Sequence, residues 1–226
     1  MSIPGQWIVT SSIFAEAVPV AAVVLTRTRN PARRWIAIAF ASWLVQDAAL
    51  WWTAVRHMNN HWIIHIGNPI TTVLFLLAYG WWMDDPVRRR ALRIAAGAYV
   101  VVCAALFLTV ENIGRFSQYT GPLQALVLML VCAYALVRAV GTGAAPVWRR
   151  DVFWVSIGLL LDFGTGLLMA PVSGMLAEAH PSLVLHALAG KDAINILAYL
   201  LVTIGMLCPP SPSSIGVFSS RLVSPS

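Results

Sequence analysis

The chain has 226 residues, of which 59% are hydrophobic and only 11% charged, and its mean hydropathy is +0.76. A water-soluble domain of this length carries more charge and less apolar content, so the ordinary globular class is excluded. The net charge of +6 would suit a nucleic-acid binder only on an extended basic surface. Here the basic residues are scattered over short connections, and no nucleic-acid partner is expected.

Apolar stretches able to cross about 30 Å of hydrocarbon recur along the whole length, the pattern of an all-α, polytopic integral membrane protein in a lipid bilayer. The first, residues 7–26, follows a start without a basic n-region and runs unbroken to Thr26. It reads as a retained span, not a cleaved signal peptide. Further spans are predicted at 34–55, 61–83, 94–110, 119–140, 151–172 and 183–207, seven in all. The connections are short and marked by Pro, Gly or Asn, as in RTRNPARR and GTGAAPVWRR. Residues 1–208 therefore form one seven-helix transmembrane domain. The tail 209–226, PPSPSSIGVFSSRLVSPS, is Ser/Pro-rich, expected to be disordered, and carries no kinase or cyclase module.

Of fourteen arginines, twelve lie in or beside alternate connections, at 27, 29, 33, 34, 88, 89, 90, 93, 138, 149, 150 and 221. Only Arg56 and Arg115 fall in the other set. This positive-inside asymmetry places the N-terminus outside and the C-terminus in the cytoplasm, in a cell (plasma or inner) membrane. Trp7, Trp35, Trp51, Trp52, Trp62, Trp81, Trp82 and Trp148 cluster near the span ends, as an interfacial belt does. Cys103, Cys132 and Cys208 lie in apolar stretches without CxxC spacing and read as small buried hydrophobes.

A hint of duplication runs through the spans. Arg34 precedes Asp47 by thirteen residues, as Arg149 precedes Asp162, and LLAYG in span three matches ILAYL in span seven. Three helices, an inverting linker and three more would give parallel repeats (a 3+1+3 arrangement), which some transporters use. The identities are few, and chance similarity between apolar helices explains them better.

Chemistry resides in the polar residues inside the spans. Glu16, Asp47, Asp162, Lys191 and Asp192 are ionisable and deep. A charge at mid-bilayer costs about 2.5–3.5 kcal/mol, so five facing lipid would cost on the order of 15 kcal/mol. They are expected to turn inward. HMNNHWIIHIGNP, residues 57–69, carries three of the five histidines. His57 belongs to the connection and His61 to the interface, while His65 with Asn68 is deep enough to line a pocket. His61, His65, Asn68 and Thr72 form one stripe, and Asp192, Asn195 and Tyr199 form another. Gly158, Asp162 and Thr165 share a face of span six, where small residues admit a close neighbour. The expected ligand or ion pocket is therefore Glu16, Asp47, His65, Asn68, Asp162, Lys191, Asp192 and Asn195. Structural hydrogen bonding across helices is the competing account of each residue taken singly.

Lys191 is the only lysine. A buried lysine can lose its proton or form a Schiff base, which arginine does not readily do, but it can also simply pair with Asp192, Asp162 or Asp47. Four carboxyls face one amine, an imbalance that points to proton or cation linkage.

Seven spans with a lysine in the last resemble microbial rhodopsins, which would imply retinal. That family's Asp one turn before the lysine is Ala187 here, its span-three Arg and Asp are missing, and span six offers only Phe153, Trp154 and Phe163. A bis-histidine haem on His65 and His186 fails because His186 lies about 180° around the helix from Asn195. Seven-span zinc hydrolases such as ceramidase and adiponectin-receptor relatives need HxxxH in the last span, whereas HPSLVLH has spacing six. No metal site, no catalytic residue and no particular cofactor is assigned. The expectation is a proton-linked transporter of a small solute or ion. A seven-helix sensory or receptor-like subunit is the alternative, and it needs a partner signalling protein. An assembly subunit of a larger membrane complex is the third option.

Overall fold

A computed structural model describes residues 6–112, 114, 117–141, 146–176 and 181–209; at 6–10, 170–176, 181, 182, 184 and 185 it describes the backbone alone. The tail expected to be disordered thus lies outside the described residues from position 210 onward. Seven α-helices follow one another: α1 (Gln6–Thr26), α2 (Pro31–Val55), α3 (His61–Trp82), α4 (Pro86–Thr109), α5 (Thr120–Gly141), α6 (Asp151–Leu176) and α7 (Pro181–Leu207). A single 3₁₀ turn, Val147–Arg149, precedes α6, and no strand occurs among the described residues.

Five helices are long and apolar enough to cross a membrane: α3, α4, α5, α6 over Asp151–Met169, and α7 over His186–Leu207. α1 is a shorter apolar helix over Ser11–Thr26, and α2 carries Arg33, Arg34 and Asp47, which dilute its apolar character.

The helix starts lie further upstream than apolar content predicts. Asn30 caps α2 by accepting from the Ala32 N–H at 2.9 Å, with Pro31 in the first turn. Asp85 caps α4 by accepting from the Val87 N–H at 2.9 Å, with Pro86 behind it. An acceptor at the cap followed by proline satisfies the orphan donors and presets φ. α4 consequently begins at Pro86, eight residues before the predicted start of that span at 94, and Arg88, Arg89, Arg90 and Arg93 belong to its first turns.

Neighbour packing runs α1–α2–α3–α5–α6–α7 and closes back on α1, while α4 packs on α3. Most of α4 is exposed, including Ile94, Val101 and Leu108, as suits a lipid-facing surface. The tightest seam joins α6 to α7. A Cβ on Gly158 would stand 2.5 Å from the Ala198 carbonyl oxygen, and one on Gly205 would stand 2.8 Å from that of Asp151. Two backbones this close need glycine.

The end of the bundle formed by the starts of α2 and α6 and the close of α7 is clasped by charge. Arg33 Nε donates to Asp151 Oδ2 at 2.9 Å and its Nη1 to the Met206 carbonyl at 3.1 Å, while Asn30 Nδ2 reaches the same Asp151 oxygen at 3.2 Å. Both charged side chains are buried.

Two stability outcomes follow from this packing. Gly158→Ala forces the α6–α7 seam apart at a cost of about 1–3 kcal/mol. Gly97→Ala in α4 meets no atom within 4 Å and instead stabilises by up to about 1 kcal/mol; thermal unfolding in detergent compares the two. Asp151→Ala strands a buried guanidinium and costs about 3–5 kcal/mol, whereas Arg33→Met combined with Asp151→Leu costs far less. Equal losses in the single and double variants would show that the clasp is not an ion pair in energetic terms.

Candidate functional site

Four helices bring the acids together. Tyr199 on α7 donates its hydroxyl to Glu16 Oε1 of α1 at 3.3 Å and to Asp162 Oδ1 of α6 at 3.4 Å. Asp47 on α2 lies within electrostatic reach of Glu16, Lys191, Asp192 and Asp162. Glu16 Oε2 is buried and has no hydrogen-bond donor among the described residues.

Asn195 ties the amine to the acid. With its amide turned so that donors meet acceptors, it donates to Asp162 Oδ1 at 3.0 Å and to the Lys191 carbonyl at 3.2 Å, and accepts from Lys191 Nζ at 2.8 Å. Lys191 therefore stands one amide away from Asp162. Glu16, Asp162 and Asn195 are buried, whereas Asp47, Lys191 and Asp192 are half-buried. Lys191 also lies within electrostatic reach of Asp192.

An aromatic cluster fixes the central hydroxyl. Phe40 meets the Tyr199 ring edge-on at 5.3 Å and Trp43 lies 6.2 Å from it, with Phe75 and Phe163 completing the cluster around Trp43 at 5.1 and 5.7 Å. Edge-to-face pairs of this kind hold a ring in one orientation, which aims the hydroxyl at both carboxyls.

Asp162 and Lys191 also line a cavity of about 310 Å³, whose remaining polar lining comes from Asn68, Ser117 and Gln124 and whose apolar lining includes Ile64, Phe163, Met169 and Leu188. Gln124 Nε2 donates to the Asn68 carbonyl at 3.3 Å, joining α5 to α3 at the wall. At about 30 Å³ per water, the space holds roughly ten waters or a small organic solute.

His65 does not line this cavity. Its Nδ1 lies 3.4 Å from Glu111 Oε2, both side chains are buried, and the ring stands edge-on to Phe107 at 5.2 Å. Glu111 lies just past α4 and accepts from the Tyr119 N–H at 2.7 Å, the Thr120 N–H at 2.9 Å and the Thr120 hydroxyl at 2.8 Å. Ser117 sits between the two places: it lines the cavity, receives the Gly121 N–H at 2.8 Å and shares a hydrogen bond with Thr120 at 2.6 Å. These bonds tie Glu111, Ser117 and the start of α5 into a strap beside the cavity. Asn59 Nδ2 reinforces it by donating to the Gly114 carbonyl at 2.9 Å.

Of the eight residues expected to form the pocket, Glu16, Asp47, Asp162, Lys191, Asp192 and Asn195 lie in one cluster, Asn68 faces the adjoining cavity, and His65 is one helical turn away on Glu111. Tyr199, Gln124, Ser117 and Glu111 are further members. Gln124 could have been found as the only side-chain amide in an apolar helix. Glu111 gave no such signal, because its position between spans reads as solvent. Among the described residues no group of three His, Cys, Asp or Glu side chains is arranged to hold a metal ion. No family model, no curated protein and no solved structure matches the chain.

Burial pushes the Glu111 pKa up, but the Thr120 and Tyr119 N–H groups, the Thr120 hydroxyl and His65 together hold it below the ordinary carboxyl value. A depressed carboxyl stabilises the fold above its unfolded pKa, about 4.3, and loses that contribution as the pH falls through the lower folded value. Unfolding midpoints should therefore drop on acidification below about pH 4. Glu111→Gln should flatten that dependence, and Glu111→Ala should cost about 1–3 kcal/mol at neutral pH by leaving buried donors unmet. Unaltered pH profiles in both variants would count against the strap.

Proposed function

We propose that this chain is a multi-pass transporter of a small solute in a plasma (inner) membrane, driven by protons. In this reading all seven helices span the bilayer, the N-terminus lies outside and the arginine-rich connections face the cytoplasm. The observation that carries the proposal is the Tyr199 hydroxyl, which joins Glu16 of the neighbouring Glu16–Asp47 pair to the Asp162 carboxyl that lines the cavity.

The coupling works through that one hydroxyl. With the proton on the pair, Glu16 is a weak acceptor and Tyr199 favours Asp162, offsetting its charge. When the proton leaves, Glu16 becomes the stronger acceptor, Tyr199 turns to it, and Asp162 is left with the Asn195 amide alone. A solute touching Asp162 then meets a site of altered charge. By linkage, solute binding changes proton affinity by the same factor. The ring order α1–α2–α3–α5–α6–α7 with α4 outside is also the order that two parallel three-helix repeats joined by a linker would produce. Tyr79 and Tyr199 then become counterparts. Tyr79 holds Ser156 and Cys132 at 3.0 and 3.1 Å, as Tyr199 holds the acids.

The strap beside the cavity also suits a receptor-like subunit that closes on a ligand and signals through a partner protein. Proteoliposomes separate the two readings. With an imposed inward proton gradient, small labelled solutes are screened for accumulation, and collapsing the gradient should abolish it. Asp162→Asn and Lys191→Met should lower the uptake rate at least tenfold, while Glu16→Gln should keep solute exchange and lose the dependence on the gradient. Binding without flux would assign the receptor-like role, and accumulation indifferent to pH would overturn proton coupling.

A further inference from the structure

We propose that the cavity takes a zwitterionic solute of amino-acid size, with an ammonium placed on Asp162 and a carboxylate on Lys191; this rests on reading the cavity as the solute site. Among the described residues, two charged side chains line the cavity, and they have opposite signs. A simple cation would meet the Lys191 ammonium, and a simple anion would meet the Asp162 carboxylate. A molecule with both charges satisfies both walls.

The spacing supports this. Asn195 bridges the pair through a single amide, with Asp162 Oδ1 at 3.0 Å on one side and Lys191 Nζ at 2.8 Å on the other. The charges thus stand a few bonds apart, as the two ends of an amino acid do. Valence remains on both groups. The Tyr199 and Asn195 bonds both end on Asp162 Oδ1, while Oδ2 receives no hydrogen bond from the described residues and is not an enclosed orphan. Lys191 has three N–H donors, of which Asn195 occupies one.

The rest of the lining suits a short apolar side chain. Ile64, Phe163, Met169 and Leu188 contribute hydrocarbon, and Asn68, Ser117 and Gln124 form a neutral polar wall on α3, the strap and α5. A volume of about 310 Å³ lies at the small end of ligand sites and accommodates leucine more comfortably than a tryptophan-sized solute.

Purified full-length protein in detergent or nanodiscs tests this with three matched probes: leucine, 3-methylbutylamine (leucine without its carboxylate) and 4-methylpentanoate (leucine without its amine). Calorimetry and the thermal midpoint are the readouts. Leucine should bind and raise the midpoint, and each half-charged probe should bind at least tenfold more weakly. The variants should invert this pattern selectively. Lys191→Met should lose its preference for leucine over the amine, and Asp162→Asn its preference for leucine over the acid. Should either variant fail to fold, the wild-type comparison of the three probes still decides. Equal binding of the amine or the acid, or no binding of leucine, overturns the inference. Leucine binding without gradient-driven uptake keeps it and removes transport. Gradient-driven uptake of a solute of another charge class, without leucine binding, keeps transport and removes the inference.

Discussion

Tyr199 presents one hydroxyl to two carboxyls carried by helices from opposite halves of the chain, α1 and α6. In a low-dielectric interior two unit charges about 4 Å apart interact by about 4 kcal/mol even at an effective dielectric of 20, so acids gathered around one hydroxyl need fixed donors and a countercharge. Tyr199 and Asn195, both on α7, supply those donors, and Lys191 on the same helix supplies the countercharge. The position of α7 therefore governs the site. Three features hold it: the glycine seam against α6, the aromatic cluster around its tyrosine, and the Arg33 bond to its final turn through Met206.

The two ends of the bundle are fastened by different chemistry. One end is closed by a buried guanidinium–carboxylate pair that grips α2, α6 and α7 together. The other carries the strap, in which a carboxylate just outside α4 collects donors from the connection leading into α5 and faces His65. Breaking the first strands a full charge in an apolar seam. Opening the second exposes a carboxylate and backbone N–H groups that water can serve. The difference makes the strap the cheaper end to open, and it is the end nearest Ser117 and the cavity.

The helices were legible because hydrocarbon thickness imposes a length and an apolar content that show in any stretch of twenty residues. Their starts were less so: Asn30–Pro31 and Asp85–Pro86 are capping signals, and a search for apolar runs passes over them in favour of the later hydrophobic residues. Glu16 and Asp162 are buried, as the cost of facing lipid requires, while Asp47, Lys191 and Asp192 are half-buried; the spacing along each helix predicts shared faces. Asn68 and His65 show where that logic stops. They share a stripe on α3, yet one reaches the cavity and the other reaches Glu111, since the partner of each is decided by which connection folds over the helix end. Arg33 illustrates the converse. Counted among the arginines that set orientation, it is itself buried on Asp151, and nothing in its local sequence distinguishes it from exposed Arg34.

In the proposed transporter, charge balance links the proton to the solute. Glu16, Asp47, Asp162 and Asp192 against Lys191 leave a surplus of negative charge even if one carboxyl carries a proton. A zwitterion adds no net charge, so its binding leaves that surplus as it was and only redistributes local hydrogen bonds. A proton removes one unit of it. In that reading solute and proton are complementary ligands of the same cluster: the first would fill the donors and acceptors left open on Asp162 and Lys191, and the second would make the cluster less costly to carry through an apolar surrounding. In the same reading, a helix movement that exposes the cavity to the opposite side would be most favourable with both bound, and strict coupling would need no further device than the Tyr199 hydroxyl, which can serve Glu16 or Asp162 fully but not both.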